Sequence, residues 1–391
     1  MQGRVVPRMT IVRLTLGQVC IHSSLTGMRM ACPLWVLSHG YGTPVAGAVV
    51  ALFALIQIFL LLPVGRYADR HGLKRPMRWC IAAASCGVGL AALWPTLPIV
   101  CIAALLCGAG AGAANLVLQR HVGRASASPE ELRRAFSWLS IAPATANFVG
   151  PLGTGLLIDL AGYPIAFLAL ALAPLAGWLV LRGVSEAARE PISAADQRTS
   201  TWDLLRDKTI RRLLLMNWFM TVSWDLHGLM VPVLAHERGI SASVTGSIVG
   251  AFAIGTTAVR LVMPLLASRI REWMLISGAN AVCGLLLLLY PFTTTVTTMA
   301  LCSAALGGAM GSMQPMINSM LHQVTPRHQH GQAIALRLIM LNVSMCAMPL
   351  ALGFTGGVVG ASVVFWSLGL AVGGSSGLGL HLRDAKQHLD H

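Results

Sequence analysis

Apolar runs of about 20 residues, the length that crosses a bilayer, alternate with short charged or Gly/Pro turns along the whole chain. None of these runs alternates with period two, so membrane-spanning strands are excluded and helices are predicted. Breaks at charges and at Gly and Pro give twelve spans: 13–37, 44–66, 78–96, 99–120, 135–158, 163–181, 213–235, 243–266, 273–290, 297–320, 333–353 and 358–380. The first span carries polar residues and no cleavage site, so it reads as a retained helix rather than a signal peptide. One long polar stretch, 182–212, divides the chain into a six-helix half at 1–181 and another at 213–380, with 381–391 as a polar tail. The expected fold class is an all-α membrane protein, twelve transmembrane helices in two pseudo-symmetric six-helix bundles.

Composition supports this pattern. Of 391 residues, 55% are hydrophobic and 11% charged, whereas a soluble domain carries about 25% charged residues. The nine Cys form no Cys-x-x-Cys pair and all lie in apolar stretches. They read as small core residues rather than a disulfide framework or metal site.

The formal net charge of +14 is the odd feature of so apolar a chain, and most of it has a place. Of the 28 Lys and Arg, 25 fall on one side, in the two termini, the 182–212 stretch and alternate turns, with Arg337 counted among the cations flanking the turn after the tenth span. Only Arg238 lies opposite, and Arg29 and Arg260 lie within spans. By the positive-inside rule both termini and the central stretch face the cytoplasm of a bacterial-type inner membrane. The charge is an orientation signal. It points to the lipid bilayer as a partner and away from nucleic acid.

The halves show weak self-similarity at an offset of about 200 residues, as in transporters built from repeats. Ala-Leu-Phe-Ala at 51–54, with Pro63 and Arg70 downstream, recurs as Gly-Ala-Phe-Ala at 250–253 with Pro264 and Arg271. Pro151 and Phe167 likewise recur as Pro349 and Phe365.

Between the second and third spans stands Gly65-Arg-Tyr-Ala-Asp69-Arg70-His-Gly72-Leu-Lys74-Arg75. This resembles the cytoplasmic signature loop of the major facilitator superfamily, G-x-x-x-D-R-x-G-x-R/K-R/K, at every key position. The resemblance implies a charge latch in which the Asp pairs with basic residues and helix ends of neighbouring helices to hold one access state. That gives Asp69 and Arg70, with Lys74 and Arg75 of the same motif, a conformational role. Gly65 and Gly72 would permit close packing and a tight turn. The fifth span holds Asn147-Phe-Val-Gly150-Pro151-Leu-Gly153-Thr-Gly155, which resembles the Gly-Pro motif of the superfamily's antiporter branches. Two departures limit that second likeness. Ala142 and Ala146 replace upstream glycines, and the fourth span lacks the basic residue many proton antiporters carry.

A charge at the bilayer centre costs roughly 2.5–3.5 kcal/mol even on the mildest scale, so each one is a site candidate. Among fourteen acids only Asp225 lies deep in a span, in Ser223-Trp224-Asp225-Leu-His227-Gly228. Proton coupling, substrate contact and a structural hydrogen bond are its three readings. His227 lies about 200° around an ideal helix from Asp225, unless Gly228 and Pro232 break the helix there. In the first span Gln18, His22, Thr26 and Arg29 recur at spacings of four, four and three and line one face. The superfamily resemblance points that face at a central cavity. Arg29 would bind a substrate anion, pair with Asp225, or snorkel to the interface. Arg260 sits six residues before the cytoplasmic edge of its span. The fourth span offers Asn115 and Gln119, and the tenth Ser303, Gln314 and Asn318 along a stripe with Met310. Neutral amides beside Met suit an adaptable pocket for a mixed polar and apolar ligand. His322, His328 and His330 are poorly spaced for a metal site.

There is no phosphate-cradling loop and no nucleophile elbow, so neither ATP-driven transport nor an enzyme is expected, and no cofactor. The expectation is a monomeric secondary transporter that exports a small organic compound, drug-like or an anionic metabolite such as a siderophore, coupled to protons. Uptake of an organic anion by proton symport is the rival, and a non-transporting sensor with a transporter fold the third reading.

Overall fold

A computed structural model describes residues 8–125, 129–186, 201–267, 271–325 and 330–380. Its helices are α1 (Arg8–Ser38), α2 (Thr43–His71), α3 (Lys74–Leu93), α4 (Leu97–Ala125), α5 (Pro129–Leu181), α6 (Lys208–Glu237), α7 (Ala242–Ala267), α8 (Glu272–Leu289), α9 (Val296–Val324), α10 (His330–Val359) and α11 (Ala361–Leu380). Two short 3₁₀ turns, Thr201–Arg206 and Tyr290–Phe292, complete the regular elements, and the described residues include no strand. The turns are built by expected chemistry. Pro44 stands in the first turn of α2, and Thr295 and Thr298 form a reciprocal capping box at α9. α5 holds two spans in one run, broken at Gly162, whose φ of 79° is open to glycine. The fifth and sixth spans are its two arms, so the helices supply the twelve crossings.

Among the described residues nine helices are long and apolar enough to cross a membrane, α5 counted once. The two that fail are α1 and α6, at 31 and 30 residues long enough to cross but broken up by charged and polar groups. They open the two halves of the sequence, and they carry the helix-1 stripe and Asp225. Large apolar side chains such as Phe59, Leu160 and Leu261 lie 68%, 82% and 75% exposed, as lipid-facing residues do.

The chain forms two compact units. One comprises Met1–Ser193 with Pro232–Gly250, and the other Ala194–Val231 with Ala251–His391. The adjoining ends of α6 and α7 group with the first five helices. In the first unit α4 packs through glycines. A Cβ on Gly108 would strike the Phe53 backbone of α2, and one on Gly110 would strike the Cys80 carbonyl of α3. Such small-residue contacts replace the hydrophobic drive that lipid removes. In the second unit Gly307 and Gly311 of α9 lie against Phe252 and Thr256 of α7, and Gly284 of α8 against Gly369 and Gly373 of α11.

Some boundaries differ from those predicted. α3 begins at Lys74 and α6 at Lys208, so basic residues assigned to turns occupy first helical turns. The last interhelical turn is at Gly360, φ 85°, and not at 354–357. Arg337, read as a topological cation, lies inside α10 and is 6% exposed.

Candidate functional site

In the first unit the helix-1 stripe meets two partners. Gln18, 3% exposed, donates from Nε2 to Asn115 Oδ1 of α4 at 2.8 Å, and Gln119 Nε2 donates to the same oxygen at 3.2 Å. Three sequence candidates thus form one chain of amides. Thr26 turns instead to α5, its Oγ1 donating to the Ala146 carbonyl at 2.8 Å. His22 and Arg29 are half-buried on α1. Sequence reading passed over Gln57, whose Nε2 donates to the carbonyls of Phe53 at 3.0 Å and Gly108 at 3.1 Å, tying α2 to α4. Its signal was a lone amide in an apolar run.

The Gly-Pro segment of α5 makes two backbone-close crossings. At Gly150 a Cβ would meet Thr26 Oγ1 and, at 2.8 Å, the Ser23 carbonyl of α1. Pro151 is buried beside it, its carbonyl facing Gly246 of α7, and Gly155 lies against Ala242. One turn further along α5, Asp159 accepts from the N–H of Ala242 at 3.0 Å and of Ser243 at 2.8 Å. Burial alone would raise the pKa of Asp159. Hydrogen bonds from Ser243, Ser241 and Ala242 outweigh that and hold its carboxyl below the ordinary value.

The signature loop is built on its glycines. Arg120 of α4 donates from Nη1 to the Gly65 carbonyl at 3.3 Å, and its guanidinium fills the space a Cβ would need. Gly72 closes α2 at φ 77°, and the Glu186 carboxylate lies against it, accepting the Lys74 N–H at 3.3 Å. Lys74 is half-buried, Arg70 and Arg75 are exposed, and the Asp69 side chain lies outside the described residues.

In the second unit α6 runs unbroken through Gly228 and Pro232. Asp225 and His227, 3% and 2% exposed, are therefore held about 200° apart around it. His227 faces α9: its Nε2 is hydrogen-bonded to Ser303 Oγ at 3.0 Å, and that hydroxyl to Tyr290 OH at 2.8 Å. The imidazole also stacks on Phe252 at 4.3 Å, whose other neighbour is Trp224, edge-on at 4.6 Å. Arg260 of α7 reaches Gln314 of α9, Nη2 to Oε1, at 3.0 Å, so two sequence candidates pair. Arg337 Nε donates to Asn217 Oδ1 of α6 at 3.0 Å. The Asn318 side chain, and those of His322 and His330 with all of His328, lie outside the described residues. Among the described residues no group of three or more His, Cys, Asp or Glu is placed to hold a metal ion.

A model of the Major Facilitator Superfamily matches residues 14–222 and 213–388. The efflux pump azaK of Aspergillus niger is 30% identical over 125 residues, 31% of this chain. The chain spans about a quarter (26%) of that relative's length. Among solved structures, a POT family transporter in complex with a thioalcohol-conjugated peptide superposes with a TM-score of 0.78 at 14% identity, covering 97% of this chain and 96% of that one. The nucleoside transporter NupG gives 0.75 at 13% identity over 96% and 99% of the two chains. The human organic anion transporter MFSD10 (TETRAN) gives 0.67 at 16% identity over 95% and 99%. At these identities the likeness is one of fold.

Proposed function

Because the chain belongs to the Major Facilitator Superfamily and is a multi-pass membrane transport protein rather than an enzyme, we propose that it exports a small organic compound by alternating access, driven by protons. The observation that carries this reading is Asp225, 3% exposed in the middle of α6 and the one acid deep in a span. A carboxyl there takes up a proton from one side and releases it to the other as the site alternates. The efflux-pump relative and the Gly-Pro segment at Gly150 and Pro151 support export. In this reading the substrate is drug-like or an anionic metabolite such as a siderophore, and Arg29 takes its anionic group. Gln18, Asn115, Gln119, Arg260 and Gln314 supply polar contacts, while Asp69 and Arg70 with their glycines latch one access state. The protein acts as a monomer in an inner membrane with both termini cytoplasmic.

Uptake of an organic anion by proton symport is the second reading, favoured by two arginines, Arg29 and Arg260, within spans that hold one deep acid.

Everted vesicles and a compound panel test the proposal. Accumulation should stop when the proton gradient is dissipated, and Asp225→Asn should abolish gradient-driven accumulation. Undiminished transport in both conditions would overturn the mechanism. Uptake by right-side-out vesicles alone would establish the symport reading.

A further inference from the structure

The first turn of α6 is charged, and residues 213–216 directly behind it are apolar. Asp207 caps the helix, its Oδ1 accepting the N–H of Thr209 at 2.7 Å and of Ile210 at 3.0 Å. Lys208, Arg211 and Arg212 follow, then Leu213, Leu214 and Leu215, with Trp218 a turn deeper. Spacings of four and three put Arg211, Leu215 and Trp218 on one face. That face borders a cleft of about 580 Å³ whose remaining walls include Arg212, Met340 of α10 and Leu378 of α11. The volume is in the range of ligand pockets, roughly 300–1,000 Å³.

The cleft has two chemistries at two depths. Arg211 is exposed, Arg212 is half-buried, and neither guanidinium has a hydrogen-bond or ion-pair partner among the described residues. Trp218 lies about 10 Å further along the helix axis, at 1.5 Å per residue, among leucines and Met340. A Trp below a pair of arginines at the start of a membrane-spanning helix matches the layering of a leaflet, phosphate above and acyl chain below. A soluble anion would leave the apolar wall uncovered, and a neutral lipid would leave the arginines without a counter-charge.

We propose that this cleft binds an anionic phospholipid of the surrounding leaflet. Arg211 and Arg212 take the phosphodiester, and an acyl chain runs past Leu215 and Trp218 toward Met340 and Leu378. The site rests on membrane embedding alone and is independent of what the protein transports.

Native mass spectrometry of the purified full chain, titrated with phosphatidylglycerol or phosphatidylcholine, tests it. Wild type should retain one phosphatidylglycerol with a preference of about tenfold or more over phosphatidylcholine. The double variant Arg211→Gln, Arg212→Gln should lose that preference, and Arg211→Lys with Arg212→Lys should keep most of it. Leu378→Trp should lower occupancy by filling the cleft with its charge unchanged. A thermal melt of each variant separates lost binding from lost folding. Equal retention of both lipids by wild type, or wild-type preference in the Gln pair, would overturn the proposal. Displacement of phosphatidylglycerol by an equal concentration of glycerol phosphate would also overturn it, by showing a site for a soluble phosphate.

Discussion

Gln57 and Thr256 make the same two hydrogen bonds in the two halves of the sequence. Each donates to the carbonyl one turn back on its own helix, Phe53 or Phe252, and to the carbonyl of a glycine on a neighbouring helix, Gly108 or Gly307. Each member of one set stands 199 residues from its counterpart, as Phe53 does from Phe252. A repeat faint in the letters is thus kept in the contacts. What the duplicated site retains is a side-chain donor that satisfies an extra carbonyl lone pair where two backbones come close.

Those close approaches make the paired glycines sensitive. At Gly108 a Cβ would meet the Phe53 carbonyl oxygen and Cα, and at Gly307 the Phe252 carbonyl. The obstacles are backbone and cannot rotate away. Gly108→Ala and Gly307→Ala should each destabilise the fold by roughly 1–3 kcal/mol, the cost of overpacking. Gly153→Ala, where a Cβ would have nothing within 4 Å, should cost little. Unfolding of the three variants in mild detergent checks this, and equal stability would refute it.

How much of this was legible in the sequence depends on whether a feature has a period or needs a partner. The signature loop follows from its resemblance to the superfamily's motif, and the spans and the polar face of α1 follow from spacing alone. So does the separation of Asp225 from His227, because α6 passes Gly228 and Pro232 without a break. The turn at Gly360 was not legible: Gly356 and Gly357 look like better breakers, yet both are helical and Gly360 takes the positive φ. Arg337 was misread for a deeper reason. Orientation rules count cations near span ends, and only the fold reveals that Asn217 of another helix faces this one. The Asp159 cap escaped notice because its donors lie more than 80 residues away in sequence, on a helix start with no charge of its own.

Asp159 should make the α5–α7 contact sensitive to acid. Its folded pKa lies below the unfolded value, which is about 3.9 for an aspartate. A depressed carboxyl contributes stability that is fully present above the unfolded value and is lost as pH falls through the folded one. Wild-type stability should therefore drop below about pH 4 more steeply than that of Asp159→Asn, which keeps an acceptor but cannot titrate. Thermal melts from pH 7 to pH 3 make the comparison, and parallel curves would show that the cap contributes nothing.

The hydroxyls of Ser303 and Tyr290 hold His227 in place, and their removal should cost in order of what is left behind. Tyr290→Phe deletes one end of the chain and leaves Ser303 bonded to the imidazole. Its expected cost is about 0.6 kcal/mol, the mean for a hydrogen bond between membrane helices. Ser303→Ala removes the hydroxyl bonded to both the buried imidazole and the buried phenol, two hydrogen bonds at once, so it should cost more, roughly 1–3 kcal/mol. Equilibrium unfolding would reveal the ranking, and the reverse order would show that Ser303 is not the junction.

Arg337 and Asn217 offer the sharpest test, because both are buried, at 6% and 0% exposed, and joined at 3.0 Å. Hydrogen bonds to charged groups contribute about 1.5–3 kcal/mol, and stranding one member costs more than removing both. Asn217→Leu takes this acceptor from the buried guanidinium and should destabilise by about 2 kcal/mol. Arg337→Met removes the charge and leaves a neutral amide, a smaller desolvation debt. The double variant should be more stable than the sum of the single losses predicts, with a coupling of about 1 kcal/mol or more. A double-mutant cycle read by unfolding in detergent measures that coupling. Strict additivity would mean that the pair is close in space but not energetically joined, and would return Arg337 to the role of an orientation charge.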